Sequence, residues 1–158
     1  MRIAGIDPGK SGAIVTIDSE TLEVGEVLLM PYDGKELDVA TVKSFLGAHA
    51  DAVVLERQHA MPAQGRSSIF TLGSSFGALR ATCVCVGLRY VTPLPSAWTK
   101  KALAGVPGMG KARNVAAARR LFPSLDLTPG RRTKPHDGIA DGALLAYYGL
   151  MTFCGRNQ

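Results

Sequence analysis

The first thirty residues leave the chain little freedom. Residues 2–7, 12–18 and 22–30 are apolar stretches of strand length, and the joins between them are short and rich in Gly, Asp and Ser. Strands joined so briefly pair antiparallel, so the amino terminus must be a three-stranded meander. Beyond residue 30 helices and strands alternate. Val39, Val42, Phe45 and Leu46 recur at helical spacing within residues 37–48, "DAVVLE" (51–56) reads as a buried strand, and "RQHAMPAQGR" (57–66) as a polar loop. Ile69, Leu72, Phe76 and Leu79 mark a second helix, and "GLRYVTP" (87–93) a fifth strand. Two helical stretches come next at 95–104 and 111–122, and "HDGIADGALLAYYGL" forms a last helix. Strands reached through helical crossovers lie parallel to their predecessors. The expected fold is therefore α/β, with a five-stranded mixed sheet flanked by helices and one domain spanning residues 1–158.

Such sheets carry their chemistry just beyond the carboxyl ends of parallel strands. Asp7 ends the first strand and Glu56 ends the fourth, so if those strands are neighbours the two carboxylates lie side by side. The turn after Asp7, "PGKSG", also looks like the end of a phosphate-cradling loop. That motif requires a first glycine where Ala4 stands, and a helix where "GAIVTID" alternates like a strand. A second near match, "GVPGMGKA" (105–112), has Ala112 in place of the metal-binding hydroxyl and no buried strand before it. No nucleotide cofactor is expected.

Asp7, Glu56 and Asp141 are acids set among apolar residues, and Asp137 shares a helix face with Asp141. A buried acid costs several kcal/mol, on the order of 3–5, unless paired or bound to a cation. Converging carboxylates without matching buried bases suit Mg²⁺ or Mn²⁺, and two such ions can activate water against a phosphodiester. Other roles are open to each. Asp7 suits a D-P-G turn, Glu56 could pair with Arg57 or Lys10, and Asp141 could be a half-exposed helix residue. Asp137 could be an N-cap or first-turn acid. His136 could be a surface residue, a metal ligand or a proton carrier.

Charge is unevenly spread over the 158 residues. Residues 98–134 carry nine basic side chains against Asp126 alone, a net of +8, whereas the rest holds nine basic and twelve acidic residues, a net of −3. One surface thus suits a polyanion. A hydrophobic share of 46% with 20% charged residues is that of a globular chain. No uninterrupted apolar run reaches membrane-spanning length, no membrane association is expected, and Asp7 breaks any signal-like stretch. Three cysteines without C-x-x-C spacing point to reduced thiols in a cytosolic protein.

With these residues in view, the chain resembles the RuvC-like Holliday junction resolvases of the bacteriophage type, within the ribonuclease H-like superfamily. The likeness lies in "GIDPGKSGA" at the first acid, "VVLERQ" at the second and "SSFGALRA" in the helix after it. It continues in "VTPLPSAWTKKALAG" with "GKARN" in the basic segment, and in "HDGIADGALLA" at the last acid. The resemblance implies cleavage of branched DNA, four-way junctions above all, by water attack at two Mg²⁺ ions, with Mn²⁺ as a substitute. Its catalytic set is Asp7, Glu56 and Asp141, with a further acid or histidine just upstream; all but a histidine would be metal ligands. The family pattern departs here in two places. Three residues before Asp141 stands Gly138, so Asp137 or His136 must supply the fourth group; three residues after Glu56 stands His59, where bacterial members often carry an aromatic wedge. Candidate DNA contacts are Lys100, Lys101, Lys111 and Arg113, with Lys10, Arg57, His59 and Arg66 flanking the first two acids in sequence. A phage-type protein would act in the cytoplasm of a bacterial host.

Three other readings differ in class or substrate: a junction-binding protein with little cleavage, a nuclease acting mainly on flaps or RNA, and an actin- or sugar-kinase-like ATPase. The last places nucleotide between two such domains. Paired nicks on a nearly two-fold symmetric junction imply a homodimer. Gly73, Gly77 and Ala81 recur every four residues beside Phe76 and Leu79, a strip that would admit either a partner helix or the chain's own sheet.

Overall fold

The computed structural model describes residues 1–58 and 65–155, with the backbone alone of Arg66. In chain order it contains β1 (Arg2–Ile6), β2 (Ala13–Asp18), β3 (Val24–Leu29), β4 (Tyr32–Asp33), β5 (Glu36–Leu37) and α1 (Val39–His49). Then come β6 (Ala52–Leu55), α2 (Arg66–Val86), β7 (Arg89–Val91), α3 (Pro95–Ala102), α4 (Gly110–Leu121) and α5 (Asp137–Phe153). The main sheet has the order β3-β2-β1-β6-β7. Its first three strands are antiparallel, while β6 is parallel to both β1 and β7, which is the expected mixed arrangement.

The small β4–β5 hairpin was not foreseen, because two-residue strands carry no periodicity. It takes Glu36–Leu37, so the helix expected from residue 37 begins at Val39 instead. Asp38 caps that helix, its Oδ1 accepting from the Thr41 backbone N–H at 3.0 Å.

Alternation along the strands sorts the core into two layers. Ile3, Ala13, Val15, Ile17 and Val54 face α3, α4 and α5. Ala4, Ile6, Ile14, Val53 and Leu55 face α1 through Val42 and Leu46, and α2 through Leu79 and Cys83. Helix α5 lies hard against the sheet, where a methyl group added at Gly5 would overlap the Gly142 and Ala146 backbone. Helix α4 runs alongside α5 in the same direction: Lys111 meets Asp137, Asn114 meets Asp141, and the Phe122 ring lies edge-on to Tyr147.

Helix α2 corrects one expectation. Its segment Ser67–Val86 is long and apolar enough, by length and composition, to cross a membrane. Scattered Ser, Thr and Gly interrupt every apolar run while leaving the average high, which is why reading runs alone missed it. In the fold the helix seats Leu79 and Cys83 in the core and leaves most of its surface exposed, Phe70 and Val84 included. The Gly73–Gly77–Ala81 strip does not pack on the chain's own sheet: all three residues are exposed, and apart from the adjoining residues and backbone of the helix itself no described atom lies within 4 Å of where a side chain would begin at either glycine.

Candidate active site

Sheet register brings the first two acids together. Ile6 of β1 is paired with Leu55 of β6 in parallel, so the next residues of the two strands are Asp7 and Glu56. The Glu56 N–H donates to the Ile6 carbonyl at 3.0 Å, extending the ladder by one bond up to the acid. Asp141 arrives from α5, whose Gly142 crosses close over the sheet at Gly5. The amino end of α5 is fixed against the β1–β2 turn by a single bridge between Gly12 and Gly138. Any side chain at Gly138 would collide with the Ser11 carbonyl and the Gly12 backbone. Gly138, three residues before Asp141, therefore has no room for a carboxylate, and the nearest one on the helix is Asp137.

Each acid has its own donors. Asp7 Oδ1 accepts from the Gly9 N–H at 3.3 Å. Glu56 Oε1 accepts from the Trp98 indole Nε1–H at 2.8 Å, and its Oε2 from Gln58 Nε2 at 3.0 Å. Asn114 Nδ2 donates to Asp141 Oδ1 at 2.6 Å, and Lys111 Nζ to Asp137 Oδ2 at 2.7 Å. Glu56 therefore pairs with neither Arg57 nor Lys10: Arg57 reaches Thr92 Oγ1, and Lys10 the Gly34 carbonyl and the Tyr32 ring.

The acids also feel one another. Burial is the main cause that lifts Asp141 to about 7; the charges of Asp7, Glu56 and Asp137 add to it, and the Asn114 bond opposes it. Asp7 rises to about 6, again chiefly through burial, with the Gly9 bond and Lys111 acting against Glu56 and Asp137. Lys111 is held more firmly protonated by Asp137. His136 is pushed toward its neutral form by burial and by Arg132.

His136 is 5% exposed and is the N-cap of α5, its Nδ1 accepting from the Ile139 N–H at 3.3 Å. Asp137 is the first-turn acid. Among the expected DNA contacts, Lys111 sits at the acids. Arg113 instead pins the α3–α4 connection, donating to the Val106 and Leu103 carbonyls at 2.8 and 2.7 Å. Lys100 and Lys101 end α3, with Lys101 over the Tyr148 ring. His59 and the Arg66 side chain lie outside the described residues.

Sequence reasoning missed Trp98 and Asn114, the residues that orient Glu56 and Asp141. The signal for Trp98 was present: it is the chain's sole tryptophan, and it precedes two lysines in the basic segment. A buried indole needs an acceptor. Asn114 gave no signal of its own.

Among the described residues, no three His, Cys, Asp or Glu side chains already converge at metal-ligand distance. Each carboxylate is held by its own donor. The donor set nonetheless fits a hard divalent cation. It is all oxygen, it concentrates negative charge that burial penalises, and the single ammonium beside it, Lys111, is 77% exposed and not buried among the acids.

No protein-family model matches the sequence, and no curated protein matches it. Solved structures do match the fold. RuvC of T. thermophilus in complex with a Holliday junction substrate superposes with a TM-score of 0.72 at 18% identity, over 98% of this chain and 96% of that one. A second Thermus thermophilus RuvC structure gives 0.68 at 21% identity over 98% and 97%. The yeast mitochondrial Holliday junction resolvase gives 0.65 at 15% identity over 94% and 77%. The chain thus has the RuvC-like fold, as the resemblance implied.

Proposed function

We propose that this chain is a divalent-metal-dependent endonuclease that resolves four-way DNA junctions by paired, symmetric nicks. The observation that carries the reading is that Asp7 and Glu56, which follow paired parallel strands, both act electrostatically on Asp141 of α5, in a chain with a RuvC-like fold. Mg²⁺, or Mn²⁺ in its place, held as two ions by Asp7, Glu56, Asp137 and Asp141, would supply the Lewis acidity that makes water nucleophilic and steadies the leaving oxygen. The chain's own residues prepare the acids. Trp98 and Gln58 fix both oxygens of Glu56, and Asn114 fixes one of Asp141. Lys111 offers an exposed ammonium at the mouth, where a phosphate would approach. A panel of labelled four-way junction, flap, duplex and RNA–DNA hybrid, with Mg²⁺ and with Mn²⁺, tests the reading. Preferential junction nicking is expected. Binding without cleavage would favour a junction-binding protein, and faster cutting of flaps or hybrids would favour a relative with those substrates.

Trp98→Phe keeps an aromatic ring in the core and removes the N–H that holds Glu56, together with the volume of the indole's second ring. Loss of an orienting partner of this kind costs about 10–100-fold in activity. Junction affinity should stay unchanged, which separates orientation from unfolding when both are measured on one preparation.

The homodimer belongs to the same reading, because one site per chain cannot reach two symmetric strands at once. The exposed face of α2 supports it: Gly73, Gly77 and Ala81 form a bare strip with Phe70 and Val84 exposed on the same helix. Sedimentation should give a dimer, and Gly77→Arg should yield monomers that nick a cruciform plasmid on one strand only. A wild-type monomer cutting both strands together would exclude this arrangement.

A further inference from the structure

Most of the expected phosphate contacts beside the acids already have partners within the protein, although Lys10, Arg57 and Lys111 stay exposed. Lys111 pairs with Asp137, Lys10 sits on Gly34, Arg57 on Thr92 and Arg113 on two backbone carbonyls. Next to the amino end of α5 lies a different set of cations. The segment Thr128–Pro135 is a loop closed at its base, where the His136 N–H donates to the Leu127 carbonyl at 2.7 Å. Both anchors are buried, Leu127 at 4% and His136 at 5% exposure. Asp126 fixes the start through the Thr128 N–H at 2.7 Å, and Gly130 turns the chain with a φ of +70°. Arg131, Arg132 and Lys134 are all exposed, and among the described residues none of them makes a hydrogen bond or ion pair. Arg132 is close enough to act electrostatically on His136, the neighbour of Asp137.

We infer that this loop is a phosphate clamp: Arg131, Arg132 and Lys134 grip the DNA backbone next to the bond presented to the carboxylates. The inference rests on the nuclease reading and adds to it the group that seats the scissile strand. Two arginines on a loop fixed at both ends match phosphate oxygens through paired N–H donors, at little ordering cost. Their charge also offsets the repulsion between a polyanion and the cluster of acids, which Lys111 alone cannot do. The clamp carries no sequence information, since it touches only backbone.

The test compares wild type, Arg131→Gln/Arg132→Gln/Lys134→Gln, and Arg131→Lys/Arg132→Lys. Binding to a labelled four-way junction is measured across a salt series with EDTA present, so that no cutting occurs. Ethylation interference on the same junction maps the phosphates that matter. The triple variant should bind about ten- to a hundredfold more weakly at moderate salt, with the slope of log affinity against log salt smaller by about 2–3. It should also lose interference at the phosphates beside the nick. The lysine variant should keep the slope and lose part of the affinity. A triple variant that melts like wild type but keeps its slope and interference pattern overturns the clamp and leaves the nuclease reading intact. A lysine variant whose slope falls as far as the glutamine variant's overturns the clamp as well. A wild-type protein that neither binds nor cuts any of these nucleic acids overturns both.

Discussion

Asp7→Asn, Glu56→Gln and Asp141→Asn are each expected to lower junction nicking on the order of a thousandfold or more. Each exchange keeps the side chain's size and leaves one oxygen: for the Gly9 N–H at Asp7, for the Trp98 indole at Glu56, where the Gln58 bond is lost, and for the Asn114 amide at Asp141. The fold should therefore survive, and what is lost is the negative charge that would hold a cation. Junction affinity should hold or rise, because an acid facing a polyanion has been neutralised. Asp137→Asn should be severe but milder, since it also releases Lys111 toward the DNA. Single-turnover cleavage beside equilibrium binding separates the two effects. Full activity in Asp7→Asn would falsify the mechanism.

Stability should move the opposite way from activity. Asp141 titrates near 7 and Asp7 near 6 in the fold, against an ordinary 3.8. Because both values are raised, the folded chain binds more protons than the unfolded chain between about pH 4 and 7. The stability this contributes is fully present below about pH 4 and is lost as pH rises through 6 and 7. Asp141→Asn removes the larger part of that loss. It should stabilise the protein by roughly 4 kcal/mol at pH 8 and by nearly nothing at pH 4. A divalent cation should raise the melting temperature of wild type more at pH 8 than at pH 5, since ligation favours the ionised acids. Denaturant melts at pH 4, 6 and 8 check the first, and thermal melts at pH 5 and 8 with and without Mg²⁺ check the second. A difference between Asp141→Asn and wild type that does not change with pH would show that burial does not govern this carboxylate.

The strands of the main sheet and the three acids were legible in the sequence because each rests on a local pattern. Alternation marks the strands, and an acid beside an apolar run marks each candidate, Asp7 and Glu56 at the end of one and Asp141 ahead of one. The fourth group was not legible. Only the approach of α5 to the β1–β2 turn reveals that Gly138 has no room for a side chain and that His136 is occupied as a cap. Counting bases marked residues 98–134 as a basic segment but could not show that Arg113 serves the α3–α4 connection, which depends on carbonyls seven and ten residues away. Trp98 and Asn114 escaped for the same reason. Their partners lie 42 and 27 residues away, on other elements, beyond the reach of any pattern along the chain.

The parallel pairing of Ile6 with Leu55 also decides where this protein tolerates insertions and deletions. The spacing of Asp7 from Glu56 is set by hydrogen bonds between neighbouring strands, so the length of the intervening chain does not enter it. Residues can be added to the Ser19–Glu23 turn or to the tip of the β4–β5 hairpin without disturbing the pair. One residue added within Ala52–Leu55 slides the ladder by a step and turns every later side chain of that strand to the opposite face. This chain should therefore accept length changes in those two turns and reject them in the few residues that lead up to Asp7 and Glu56.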